Sequence, residues 1–121
     1  MTATTRDAAP IELTDGELEL RLQDIGGGMS VGYIRAPAGT DLGPALKGMP
    51  DDLCQCPHWG FVTKGRLRMR TKEGTEEYQA GDAYYWAPGH APEAMEDSEF
   101  MEFSPTEEFR KVLDHIKGNA G

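Results

Sequence analysis

Before residue 104 the apolar residues of this chain recur at every second position in short runs, and turn residues close the runs roughly every eight to twelve residues. That period belongs to half-buried strands, and many short strands bury their edges best in a sandwich or barrel. Residues 17–22 alternate through Leu18, Leu20 and Leu22 before Gly26, Gly27 and Gly28 break the chain. Met29, Val31 and Tyr33 resume the alternation as far as Pro37 and Gly39. Residues 40–52 carry Gly43, Pro44, Gly48 and Pro50 and read as a loop that crosses the surface or covers an opening.

The second half of the chain is richer in signal. Residues 54–63 predict a strand interrupted or entered at Pro57. After a turn at Lys64 and Gly65, residues 66–70 alternate fully, with Leu67 and Met69 inward and Arg66, Arg68 and Arg70 outward. A hairpin turn at residues 72–74 leads to a strand over 76–79, a turn at 80–82 and an aromatic strand over 83–86. Beyond the bend at Pro88 and Gly89, strands are expected over 91–95 and 99–103, the last closing the sheet with Phe100, Met101 and Phe103.

One helix stands apart. Ser104, Pro105 and Glu107 offer an N-cap serine, a proline at the first helical position and a glutamate at N3, which together make a capping box. Phe109, Val112, Leu113 and Ile116 then follow at the spacing of a stripe packed on a core, and Gly118 is expected to stop the helix. The chain therefore reads as a flexible tail over 1–10, a barrel over 11–104 and a helix over 105–117 packed on it.

Length and charge narrow the classes. A chain of 121 residues with 38% hydrophobic content suits one domain with a modest core. The net charge of −9 repels phosphate backbones and anionic bilayers, so neither nucleic acid nor membrane is an expected partner. The first residues lack the apolar stretch of a secretory signal, and no apolar run approaches the ~20 residues of a bilayer span. Cys54 and Cys56 lie about 6.6 Å apart in an extended strand, at the far edge of disulfide geometry. Reduced thiols and a cytoplasmic location are the expectation.

Two passages carry a family likeness. HWGFVTKGRL at 58–67 ends in a strand and a glycine turn; GDAYYWAPGHAP at 81–92 runs from a Gly-Asp turn to a Pro-Gly bend and a histidine. In this order, separated by one hairpin, they resemble the two motifs of the cupin superfamily, over roughly residues 29–104. The resemblance implies an all-β fold, the double-stranded β-helix or jelly-roll barrel, here with one C-terminal α-helix. It also implies a homodimer, since many cupins pair through their outer strands. Many metal cupins use two histidines one residue apart, then a glutamate, then a histidine from the second motif. Counted back from Gly65, the glutamate position falls on His58 and the paired histidines fall near Asp52 and Cys54. His90 comes about two residues early, with Pro92 near the usual place. Read by spacing alone, Cys56, Pro57 and His58 instead mimic the paired histidines.

What remains is a rearranged donor set at the usual address. On strand parity Cys54, Cys56 and His58 face one way, with Cys56 and His58 on adjacent rungs and His90 facing them. A thiolate with two imidazoles suits zinc or iron(II). Cys54 joins as a further ligand only if the chain bends at Pro57, because a straight strand holds it about 13 Å from His58. The alternative is packing: buried cysteine behaves as a small hydrophobe, and a buried histidine is satisfied by a neighbouring strand. Trp59, Phe61, Tyr84, Tyr85 and Trp86 read first as core, yet Tyr84 and Trp86 share a face, and with Tyr33 they would line a pocket for a planar organic ligand. Glu93 and His115 read as surface residues. The glycine triplet has no phosphate-loop context, no serine sits in a nucleophile elbow, and a Cys–His nucleophile lacks an oxyanion site.

Three functions fit these residues. The first is a metal-binding module that binds or senses a small organic ligand. The second is a metal-dependent oxygenase, isomerase or lyase, and the third a structural dimerisation barrel without metal.

Overall fold

The computed structural model describes residues 1–120. Its strands are β1 (Ile11–Asp15), β2 (Leu18–Gly26), β3 (Met29–Ala36), β4 (His58–Lys64), β5 (Arg66–Thr71), β6 (Gly74–Gln79), β7 (Ala83–Trp86), β8 (Ala91–Ala94) and β9 (Ser98–Pro105), followed by helix α1 (Thr106–Ala120). They form two antiparallel sheets, one in the order β1-β2-β3-β9-β4-β7 and the other β6-β5-β8. The all-β architecture with one C-terminal helix expected from the sequence is the one found. No helix among the described residues is long and apolar enough to cross a membrane.

The interior lies between the sheets. Leu20, Leu22, Ile34, Val62, Leu67 and Met69 fill it, and Phe109, Val112 and Leu113 bring the buried stripe of α1 against it. In β5 the alternation holds as read, with Leu67 and Met69 buried and the arginines turned outward. Gly65 turns the chain at φ +83°, where a side chain would also strike the Asp97 carbonyl, so only glycine joins β4 to β5 this tightly.

Several elements depart from the sequence reading. β1 precedes the first expected strand and pairs with β2 as a hairpin. Residues 5–10 are docked rather than loose: Ala9 is buried, Arg6 pairs with Glu19 at 2.7 Å, and the Leu22 amide donates to the Pro10 carbonyl. Ser104 and Pro105 remain in β9, and α1 runs through Gly118. In β3 Ser30, Gly32, Ile34 and Ala36 form the inward row; of Met29, Val31 and Tyr33, read as that row, Val31 is buried as well, while Met29 and Tyr33 are only half-buried. β9 is a central strand between β3 and β4, and its buried row is Ser98, Phe100, Glu102 and Ser104. Alternation of apolar residues cannot identify a row that is mostly polar.

One rung of the large sheet fixes the interior. Gly60 of β4 is opposite Tyr84 on one side and Glu102 on the other. The Tyr84 hydroxyl reaches across this gap to donate to Glu102 Oε1 at 2.7 Å. A Cβ at residue 60 would come within 2.5 Å of the Tyr84 hydroxyl and closer still to the Met101 carbonyl. We therefore expect Gly60→Ala to destabilise the fold by about 2 kcal/mol through overpacking, measured by urea unfolding. A variant as stable as the parent would show that this rung does not constrain the interior.

Candidate functional site

Pro57 supplies no amide hydrogen, and the strand starts only after it, at His58. The preceding residues turn aside and bond to the bend after β7. Cys54 N donates to His90 O at 2.8 Å, and Gly89 N donates to Cys54 O at 2.7 Å. This backbone clasp holds Cys54 and His90 side by side at the same end of the interior as His58. One donor atom from each of Cys54, His58 and His90 lies within 4.8 Å of the others, and all three residues are buried. Cys54 Sγ is 3.8 Å from His58 Nε2.

Cys56 is not part of this group. It is buried in the core, and its thiol donates to the Pro57 carbonyl at 3.4 Å. Straight-strand parity places Cys56 beside His58 and Cys54 far away; the bend ahead of Pro57 reverses the order. Tyr33 also stands apart, because the parity of β3 turns it to the outer face, beside Arg6, Thr63 and Glu99. Tyr84 and Trp86 do share the inner face and are both buried, but they stack on each other with centroids 3.7 Å apart. Trp86 reaches the small cavity at the donor group; Tyr84 instead holds Glu102. Trp59, Phe61 and Tyr85, read as core, are exposed: Trp59 and Phe61 alternate with the inward His58 and Val62 on β4, and Tyr85 lies between the inward Tyr84 and Trp86 on β7.

The two histidines are held by their other ring nitrogens. His90 Nδ1 donates to the Ala87 carbonyl at 2.6 Å, which leaves Nε2 as its lone-pair nitrogen. His58 Nδ1 lies 2.6 Å from Ser104 Oγ and 3.1 Å from Glu102 Oε2. The serine expected to cap the helix instead orients His58 from the adjacent strand. Burial pulls the His58 pKa down to about 3. Burial and then the neighbouring His58 take His90 to about 4, with the Ala87 hydrogen bond and Glu102 opposing. Both imidazoles are therefore neutral near pH 7, the form that ligates metal. Burial likewise pushes the Cys54 thiol up to about 12, so without a cation beside it the sulfur stays protonated.

Glu102 is the residue that the sequence reading missed. It is the one buried carboxyl among the described residues. Burial raises its pKa to about 7, against the Tyr84 hydrogen bond and His90, which lower it. His58 and Glu102 thus meet as a close polar contact with a neutral imidazole rather than as a full ion pair. No sequence signal marked Glu102 apart from the row it shares with Phe100, two residues away.

The site opens into a cavity of about 60 Å³ with an almost wholly apolar lining, closed by Phe109 and Val112 of α1. Glu93 is half-buried on β8, outside the donor group. His115, read as a surface residue, is partly exposed, and its ring bonds the Lys47 carbonyl at 2.7 Å, tying α1 to the covering loop.

No family model matches this sequence, and no curated protein sequence matches it. Solved structures do. An RmlC-like cupin from Shewanella frigidimarina aligns with TM-score 0.60 and 14% identity, over 84% of this chain and 88% of that one. KdgF from a Halomonas species gives TM-score 0.60 and 18% identity, over 84% and 90%. A cupin 2 conserved barrel domain protein from Salinispora arenicola gives TM-score 0.58 and 13% identity, over 98% and 95%. At these identities the likeness lies in the fold. Two antiparallel sheets, the Gly-Asp turn, the Pro-Gly bend and this set of structural neighbours together show that the chain folds as a small cupin barrel.

Proposed function

We propose that the barrel binds one divalent metal ion, zinc or iron(II), through Cys54, His58 and His90, and that it serves as a binding or sensing module for a small organic ligand. The observation that carries this reading is the mutual placement of the three donor atoms, with each histidine held at Nδ1. Metal-binding histidines characteristically donate their second ring nitrogen to a carbonyl or carboxylate, which fixes the tautomer. Bond lengths to zinc of about 2.3 Å for sulfur and 2.0 Å for nitrogen put the two atoms about 3.5 Å apart in a tetrahedron. The Cys54–His58 separation of 3.8 Å fits that spacing. A bound ion would supply Lewis acidity toward an oxygen or nitrogen of the ligand. Glu102, with its two oxygens engaged by Tyr84 and His58, serves to position His58, which favours a binding role over acid–base chemistry. Two free thiols support a reducing, cytoplasmic setting.

The outer face of the large sheet supports self-association. Trp59, Phe61, Tyr85 and Phe103 are 46%, 41%, 54% and 39% exposed on neighbouring strands, and Trp59 stacks on Tyr85. Aromatic side chains of about 150–250 Å² each at this exposure present roughly 300–450 Å² of apolar surface. A standard interface takes about 800 Å² from each partner, so this patch would form the apolar centre of one. β7 ends the strand order beside it and presents an open edge.

Wild-type protein purified without chelator should carry metal, and added zinc or iron(II) should raise its Tm. Cys54→Ser and His90→Ala should abolish this, and Cys56→Ser should retain it. Ser104→Ala and Glu102→Gln should weaken metal affinity by about 10- to 100-fold. Equal loss in Cys54→Ser and Cys56→Ser, or no thermal shift in the wild type, would sink the proposed ligand set. For the dimer, sedimentation at micromolar concentration should show a pair that Trp59→Lys and Tyr85→Lys convert to monomers; a monomeric wild type would overturn it.

A further inference from the structure

The small cavity at the donor group is not isolated. A groove of about 520 Å³ runs between β1, β2, the loop at residues 40–45 and the end of α1. Leu20, Ile34, Leu42 and Ile116 line both spaces and form an apolar neck between them. The cavity of about 60 Å³ accommodates an ion and its immediate surroundings, whereas the groove is in the size range of an organic ligand. Among the described residues that line either space there is no lysine or arginine; the exposed Asp15 and Asp41 line the groove, Asp41 accepting from the Gly43 amide with Arg70 beside it and Asp15 without such neighbours. A ligand carboxylate or phosphate would find no cation in the lining itself, and the chain's net charge of −9 would repel it.

We propose that this groove is the body-binding half of the ligand site and that it takes an apolar amine. The hydrocarbon lies along Leu13, Leu18, Leu20 and Ile116 toward the neck, and the ammonium group remains at the rim with Asp15 and Asp41. This deepens the function proposed above and rests on it in one respect, that the far end of the ligand approaches Cys54, His58 and His90. The groove is built independently of any metal, so its occupancy can be measured apart from it.

A chain-length-matched series of octylamine, octanol and octanoate separates the apolar contribution from the charge. Isothermal titration of the wild type, and of a metal-free Cys54→Ser/His90→Ala variant in which no carboxylate–metal bond can form, should give the same order. Octylamine should bind tightest and octanoate at least tenfold more weakly. Ala45→Trp, which fills the groove from a half-exposed position on the covering loop, should weaken octylamine binding by tenfold or more. Asp15→Lys, at the exposed end of β1, should weaken it at least threefold and narrow the gap to octanoate. Octanoate binding as tightly as octylamine overturns the proposal, as does octylamine affinity unmoved by both substitutions. Metal uptake without amine binding would reject the groove and leave the metal reading standing; amine binding without metal uptake would do the reverse.

Discussion

A carboxyl group removed from water costs several kcal/mol unless its neighbours satisfy it, and the interior of this barrel is arranged around one such group. Glu102 lies at the centre of the large sheet, where Tyr84 donates to one oxygen and His58 meets the other. The network crosses three strands, β7, β4 and β9, and it closes only because Gly60 leaves room between Tyr84 and Glu102. Its consequence at the site is orientation. With Nδ1 held by Ser104 and Glu102, the His58 ring has Nε2 directed at Cys54. A residue with no place in the donor group thus decides where one donor points.

The other donors depend on the backbone. Cys54 and His90 belong to two irregular segments that hydrogen-bond to each other rather than to a long strand. Irregular backbone inside a barrel is stable only when its amides and carbonyls are paired, and the clasp between Cys54, Gly89 and His90 provides that pairing. Rigid strand and clasped loops therefore converge, and α1 seals the apolar cavity with Phe109 and Val112. His115 and Asn119 fasten the covering loop to the same helix through the carbonyl of Lys47. The groove beyond the neck is bounded by these pieces, so the helix that completes the core also shapes access to the donors.

Sequence periodicity worked where one face is apolar and the other polar, as in β5, and where a helical stripe is isolated, as in α1. It failed where burial and hydrophobicity part company. The inner rows of β3 and β9 contain Ser30, Gly32, Glu102 and Ser104, while outward positions carry Tyr33, Met101 and Phe103. Taking the alternating apolar residues of β3 as its inner row put Tyr33 on the wrong side, and marking only the apolar residues of β9 hid Glu102. The exposed aromatics Trp59 and Tyr85 are the same effect on β4 and β7, where a surface patch is as apolar as a core. The capping signature at Ser104 failed because a buried histidine lies within reach of that hydroxyl.

Alone, the amino-acid sequence determined the class of fold, the address of the site and the residue types gathered there. Strand periodicity, the glycine turns and the two motif passages are local properties, and each acts through the conformation of its own few residues. Which cysteine joins the histidines was decided by tertiary structure alone. An extended strand through residues 54–58 brings Cys56 beside His58, whereas the hydrogen bonds from the Pro-Gly bend to Cys54 draw that residue inward. Those partners are more than thirty residues apart in the chain, and no local pattern encodes a contact that exists only once the barrel has closed.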